Sequence, residues 1–184
     1  MEEKYIIENA RGTRFLDIGA YDGETFSSTR ALVKQGWSGT YIEPNPLVMK
    51  RLQEIAALSD SDVLPVAIGN ECGDLTFYVN GDMVSTLDKR HADKWSHSTT
   101  FEEITVNTID VSTLAKTVGY NYDFLNLDVE GVNWDVLTQF DFSKWKFNTL
   151  CIEYDDKLTE VTRFIESYGF RIVYISPENV VATR

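Results

Sequence analysis

Phe15-Leu16-Asp17-Ile18-Gly19-Ala20-Tyr21-Asp22-Gly23 is an apolar run that carries a carboxylate and then turns into glycine. Continuous apolar sequence is the mark of a parallel strand buried on both faces. A strand that breaks into glycine and opens a helix presents backbone N–H groups to a ligand. Twenty residues past Gly23, Tyr41-Ile42-Glu43 is another apolar run ending in an acid. An acid at that spacing, on the tip of a second strand, is placed to hold a ribose diol. The two stretches together predict a nucleoside cofactor.

Outward from this stretch, short apolar runs alternate with amphipathic segments. Phe26, Arg30, Leu32 and Val33 mark a helix that Gly36 terminates. Residues 40–43 form the second strand; Asn45 then caps a helix with Pro46 in its first position, and Val48, Leu52 and Ile55 give it one apolar face. Residues 63–68 read as a third strand ending in Gly69-Asn70. Val111, Leu114 and Val118 mark a helix before Gly119. Residues 124–129 form a fourth strand, followed by a short helix with Val136, Leu137 and Phe140. After a fifth strand at 149–154, Leu158, Val161, Ile165 and Tyr168 build a last helix stopped by Gly169.

Residues 170–176 and 179–183 are joined by Pro177-Glu178, too close for a helical crossover, so they form an antiparallel hairpin. The expected fold is α/β: a Rossmann-like, doubly wound, mostly parallel seven-stranded sheet with a C-terminal antiparallel hairpin. A sheet that finishes this way is the hallmark of the class I methyltransferase fold. No G-x-G-x-x-G is present. Both features favour S-adenosylmethionine over a dinucleotide and argue against a nicotinamide-dependent oxidoreductase.

Residues 71–108 depart from the alternation. Residues 75–79 and 104–106 look like edge strands around a polar excursion, in which Ser85-Thr86-Leu87-Asp88 matches a capping box for a helix to about Lys94. Residues 81–100 are thus a candidate lid. No repeat, low-complexity tract or linker divides the chain, so residues 1–184 are read as one domain.

With 43% hydrophobic and 25% charged residues the composition is that of a globular protein. Seventeen basic against twenty-nine acidic residues give a net charge of −12, which opposes attraction to nucleic acid or anionic membranes. Cys72 and Cys151 lie far apart without C-x-x-C spacing and read as reduced, buried thiols rather than a disulfide or zinc site. Met1-Glu2-Glu3-Lys4 lacks a signal-peptide pattern, and no apolar run approaches membrane-spanning length. A cytoplasmic protein without membrane insertion is expected, and a homodimer is left open.

Several blocks carry a resemblance. Residues 15–20, Ile42-Glu43-Pro44-Asn45-Pro46, Asp74-Leu75-Thr76-Phe77-Tyr78 and Ser85-Thr86-Leu87 are followed by Val106-Asn107-Thr108-Ile109-Asp110. The most specific block is Asp123-Phe124-Leu125-Asn126-Leu127-Asp128-Val129-Glu130-Gly131. In this order they resemble an FkbM-type methyltransferase over roughly residues 13–176. The resemblance implies S-adenosylmethionine-dependent methylation, typically of a hydroxyl on a sugar, glycolipid or polyketide-like acceptor. A non-catalytic S-adenosylmethionine-binding module is the alternative.

The cofactor site is expected from Asp17, Gly19, Ala20 and Tyr21, with the Asp17 carboxylate near the methionyl ammonium. Glu43 would bind the ribose hydroxyls, and Ala67 and Ile68 would line the adenine slot; Asn70 either reads an adenine edge or makes the turn. Asp128 and Glu130, two apart at a strand tip, should share a face. In-line methyl transfer to an alcohol needs an aligned acceptor and a proton acceptor, so these two are the candidate catalytic residues. No metal is expected, although convergence of Glu153 would make the carboxylates a Mg²⁺ site. His91 and His97, with Lys89, Arg90, Lys94 and Trp95, read as a solvated amphipathic helix ahead of an acceptor-binding cluster. Trp134 reads as packing.

Overall fold

The computed structural model describes residues 2–81 and 83–184. The chain opens with α1 (Glu2–Asn9), β1 (Arg14–Ile18), α2 (Arg30–Val33), β2 (Ser38–Ile42), α3 (Met49–Ala57) and β3 (Asp62–Leu64). The middle holds β4 (Ala67–Ile68), β5 (Gly73–Val79), α4 (Lys89–Trp95) and β6 (Glu102–Ile109). Then come α5 (Val111–Val118), β7 (Phe124–Leu127), α6 (Asn133–Leu137), β8 (Thr149–Glu153), α7 (Leu158–Ser167), β9 (Arg171–Ile175) and β10 (Asn179–Thr183).

Seven strands form one sheet in the order β3-β2-β1-β7-β8-β10-β9. Strands β3 through β8 pair in parallel, and β10 inserts antiparallel between β8 and β9. The doubly wound sheet and its terminal hairpin are therefore as the residue pattern predicts. Period-two alternation of strand side chains splits the apolar core between the two faces. Phe15, Tyr41, Phe124 and Cys151 pack with Ile6 of α1, Leu32 of α2 and Leu52 of α3. Leu16, Ile42, Leu125 and Leu150 point the other way, onto Leu114 of α5, Val136 of α6 and Ile165 of α7. The chain leaves β1 toward β2 and later returns to its opposite side with β7, which opens a crevice at the strand tips.

The middle of the chain differs from expectation. Residues 63–68 are not one strand: Pro65, without an N–H to give a ladder, separates β3 from β4. Strand β4 joins a separate three-stranded sheet, β4-β6-β5, so residues 75–79 and 104–106 are not edges of the main sheet. Its apolar face (Ala67, Phe77, Val79 and Val106) forms a small core of its own.

Three helix starts also move. The segment after β1 is turn until Thr29, leaving α2 only four residues and Phe26 89% exposed with φ +51°. Asn45 accepts from Leu47 N–H (2.9 Å) in a turn, and α3 begins only at Met49. Asp88, not Ser85, caps α4, accepting from Arg90 N–H at 2.8 Å. Cys151 is buried as expected, whereas Cys72 is exposed. Among the described residues, no helix is long and apolar enough to cross a membrane.

Candidate active site

The glycine turn after β1 is held by main-chain bonds to both neighbouring strands. Gly19 and Ala20 N–H donate to the Ile42 carbonyl at 3.0 and 3.1 Å, and Asp128 N–H donates to Ile18 O at 2.9 Å. Gly19 has φ +82°, and a Cβ there would lie 1.6 Å from the Asp128 carbonyl oxygen. Only glycine fits so close a backbone approach. Tyr21 N–H donates to Glu43 Oε2 (2.9 Å) and Gly23 N–H to Ala20 O (2.9 Å). The donors of Gly19, Ala20, Tyr21 and Gly23 are thus engaged within the protein, contrary to the expectation of N–H groups offered to a ligand.

Glu43 receives a second amide, from Asn45 N–H to Oε1 at 2.8 Å. It is almost buried, and loss of hydration pushes its carboxyl up to about 7 despite both amides. Asp17 is 1% exposed and accepts from Thr29 Oγ1 (2.6 Å) and Asn126 Nδ2 (2.9 Å). Burial raises it to about 6. Asp17 therefore joins β1 to β7 and to the start of α2. Three further bonds tie this rim to the loop that follows β5: Tyr21 OH to Gly81 O (3.2 Å), and Asn45 Nδ2 to Asn80 O (3.3 Å) and to Ser85 Oγ (3.2 Å).

Across the crevice, β7 stops at Leu127, so Asp128 and Glu130 do not share a strand face. A turn brings them together instead, with φ +45° at Glu130 and +86° at Gly131. Glu153 at the tip of β8 joins them, and carboxylate oxygens of the three lie within 4.8 Å of one another. This is the convergence on which the metal alternative rested. Burial is the leading cause that raises both Asp128 and Glu153, with the charge of Glu130 next for Asp128 and that of Asp128 next for Glu153. Burial places Asp128 near 7.

Sequence reasoning missed Asn133, Asp155 and Thr86. Asn133 Oδ1 accepts from Val129 N–H (2.8 Å), and its Nδ2 donates to Glu153 Oε2 (2.6 Å) and Asp155 Oδ2 (3.4 Å). A polar residue just beyond the Val129-Glu130-Gly131 turn was the available signal for Asn133. Thr86 Oγ1 donates to the Glu130 carbonyl at 2.5 Å.

The two rims face one cavity of about 770 Å³. Its wall includes Asp17, Gly19, Ala20, Tyr21 and Glu43, together with Ala67 and Ile68 from β4. Asp128, Glu130 and Glu153 close the other end, and Phe26 and Trp95 stand on its rim. Asn70 lies outside this lining and accepts from Gln139 Nε2 at 3.1 Å, which makes it a turn residue. Trp134 packs edge-on to Phe164. Lys89 and Arg90 pair with Asp93 and Asp88 on the solvent side, as a solvated face requires, but His91 turns inward.

Comparison with known proteins identifies the family and the fold. The model of the methyltransferase FkbM domain matches residues 17–172. No curated protein sequence matches the chain. Among solved structures, methyltransferase FkbM from Methylobacillus flagellatus KT superposes with a TM-score of 0.62 at 16% identity, covering 100% of this chain and 50% of that one. This chain thus spans about half the length of that relative, and at such identity the likeness speaks for the fold. The delta-N METTL16 MTase domain matches at a TM-score of 0.46 and 12% identity, over 98% of this chain and 76% of that one. With a class I methyltransferase sheet and a family match across most of its length, the chain belongs to the methyltransferase FkbM domain family.

Proposed function

We propose that this protein is an S-adenosylmethionine-dependent O-methyltransferase, working as one domain in the cytoplasm on a hydroxyl of a sugar, glycolipid or small metabolite. The observation that carries the reading is that one cavity is lined both by Glu43 and by the converging carboxylates of Asp128, Glu130 and Glu153. The cofactor is cationic at its sulfonium and ammonium groups, and a wall bearing Asp17, Glu43, Asp128 and Glu130 suits that charge. When bound, S-adenosylmethionine supplies a methyl group made electrophilic by the sulfonium.

In this reading Glu43 accepts the ribose hydroxyls with a carboxylate already oriented by the Tyr21 and Asn45 amides. Ala67 and Ile68 wall the adenine, and the Gly19–Tyr21 turn carries the methionyl portion, its ammonium near Asp17. Asp128 removes the acceptor's proton. Burial holds Asp128 near 7, and an acid in that range is matched to base catalysis at neutral pH. No metal is assigned a step. The acceptor enters past Phe26 and Trp95, whose apolar faces can lie along a sugar ring or an apolar chain.

Calorimetry with S-adenosylhomocysteine tests the cofactor half. Binding is expected, and Glu43→Ala should weaken it by roughly 30- to 100-fold, about 2–3 kcal/mol. Unchanged affinity would remove the ribose assignment. Labelled methyl transfer to a panel of sugars, glycolipids and small alcohols tests the rest. Tight binding without transfer to any of them would leave the non-catalytic binding module.

A further inference from the structure

Helix α4 reaches the reaction edge through one side chain. His91 Nε2 lies 3.0 Å from Glu130 Oε2, and the histidine side chain is only 13% exposed. The same helix sends Lys89 and Arg90 outward. Room for the ring comes from Gly131, where a Cβ would sit 2.9 Å from His91 Nδ1 and 3.0 Å from its Cβ. The segment entering α4 also holds Glu130 from behind, through the Thr86 hydroxyl on its carbonyl. Glu130 is thus gripped at both ends, in a left-handed backbone conformation that a non-glycine residue keeps only when its surroundings impose it.

The grip has a physical purpose. Glu130 stands beside Asp128 and Glu153, and like charges so close drive a flexible carboxylate toward solvent. A glutamate side chain also carries rotamer entropy that must be surrendered wherever it is to be held still. The groups facing the imidazole are Glu130, Glu153 and Asp155 from across the crevice and Asp88 from its own segment, all acidic. A cationic ring there counters the repulsion at its source.

We propose that His91 is a positioning residue for methyl transfer: through its contact with Glu130 it holds that carboxylate at the reaction edge beside Asp128, where it orients the acceptor hydroxyl. The inference rests on the O-methyltransferase reading and deepens it. It also assigns part of the candidate lid, α4, a role in the chemistry as well as in covering the cavity.

Two measurements on the full chain test it. At fixed pH, the imidazole ¹⁵N resonances of His91 should move in Glu130→Gln, reporting the contact without any acceptor. In labelled methyl transfer from S-adenosylmethionine to the sugar and alcohol panel, His91→Ala should lower kcat roughly 10- to 100-fold. S-adenosylhomocysteine affinity should stay as in the wild type, which separates the lost rate from lost cofactor binding. His91→Gln, which keeps a polar group of similar reach beside Glu130, should recover part of the rate. Adding His91→Ala to Glu130→Gln should cost nothing further, because the two act as a unit. Unmoved His91 resonances, an unchanged kcat, or additive losses would overturn the proposal. A wild-type chain that transfers no label would overturn the functional reading and the role in transfer together, while wild-type transfer indifferent to His91→Ala would overturn this inference alone.

Discussion

The two rims of the cavity are built by different means. Around Gly19 and Glu43 the bonds are main-chain amides tied into the central strands: Gly19 and Ala20 to Ile42, Tyr21 and Asn45 to Glu43. Around Asp128 and Glu130 a left-handed turn is held by side chains from elsewhere: Thr86, His91 and Asn133. The first rim is part of the fold, so changes there should cost stability and cofactor binding at once. The second can be altered with the sheet intact, so changes there should cost rate. In the proposed reading the first rim serves binding and the second serves chemistry.

The largest expected effect lies on the first rim. Gly19→Ala places a methyl group 1.6 Å from the Asp128 carbonyl and forces a residue with a Cβ to φ +82°. Urea denaturation should show a loss of about 2–5 kcal/mol, and S-adenosylhomocysteine binding should disappear with it. A stable, binding-competent variant would break the comparison.

Next comes the second rim. Asp128→Asn should lower methyl transfer by roughly 10²- to 10⁴-fold while S-adenosylhomocysteine still binds. In the wild type the rate should rise with pH and level off above about 7, because the base is active only when deprotonated and burial holds it near that value. A rate flat from pH 5.5 to 8.5 would remove Asp128 from the role.

Much of this was legible in the residues. The alternation of apolar runs reports the sheet because strands buried on both faces are mostly apolar, with polar residues only where a partner meets them, as Asn126 meets Asp17. The pairing of Gly19 with Glu43 was readable because strand tips and the turn between them follow one another along the chain. What could not be read is the small sheet and the origin of the reaction edge. Residues 63–68 look like one strand, and only the placement of the chain after Pro65 shows that Ala67 and Ile68 belong to β4. His91 carries the same polar signature as its solvated neighbours; its inward direction depends on Gly131, forty residues away, leaving space for it. Asn133 and Glu153 likewise meet only because β7 and β8 lie side by side.

A smaller effect should appear in the absence of ligand, and it spans both rims, because burial raises Asp128 as well as Asp17 and Glu43. Asp17 and Glu43 have folded-state values near 6 and 7, above the ordinary 3.8 and 4.5. For an acid raised by folding, the stabilisation is complete below the unfolded value and is lost as pH climbs through the folded one. The ligand-free chain should therefore lose Tm between about pH 4.5 and 7.5, and Glu43→Gln should flatten part of that slope. A Tm that rises across the window would show that burial does not set these groups.

The smallest effect is at the mouth. Phe26→Ala removes an aromatic face that the fold leaves 89% exposed on the rim. It should raise acceptor KM about 3- to 10-fold with kcat and S-adenosylhomocysteine affinity unchanged, the size of a lost stacking contact of about 1 kcal/mol. An unaltered KM would move acceptor recognition elsewhere on the excursion.

The most direct measurement is a crystal structure of the chain with S-adenosylhomocysteine. The account predicts ribose hydroxyls on the Glu43 carboxylate, adenine against Ala67 and Ile68, and the sulfur directed at Asp128 and Glu130. A nucleoside bound with its ribose away from Glu43, or its sulfur turned from Asp128, would contradict it.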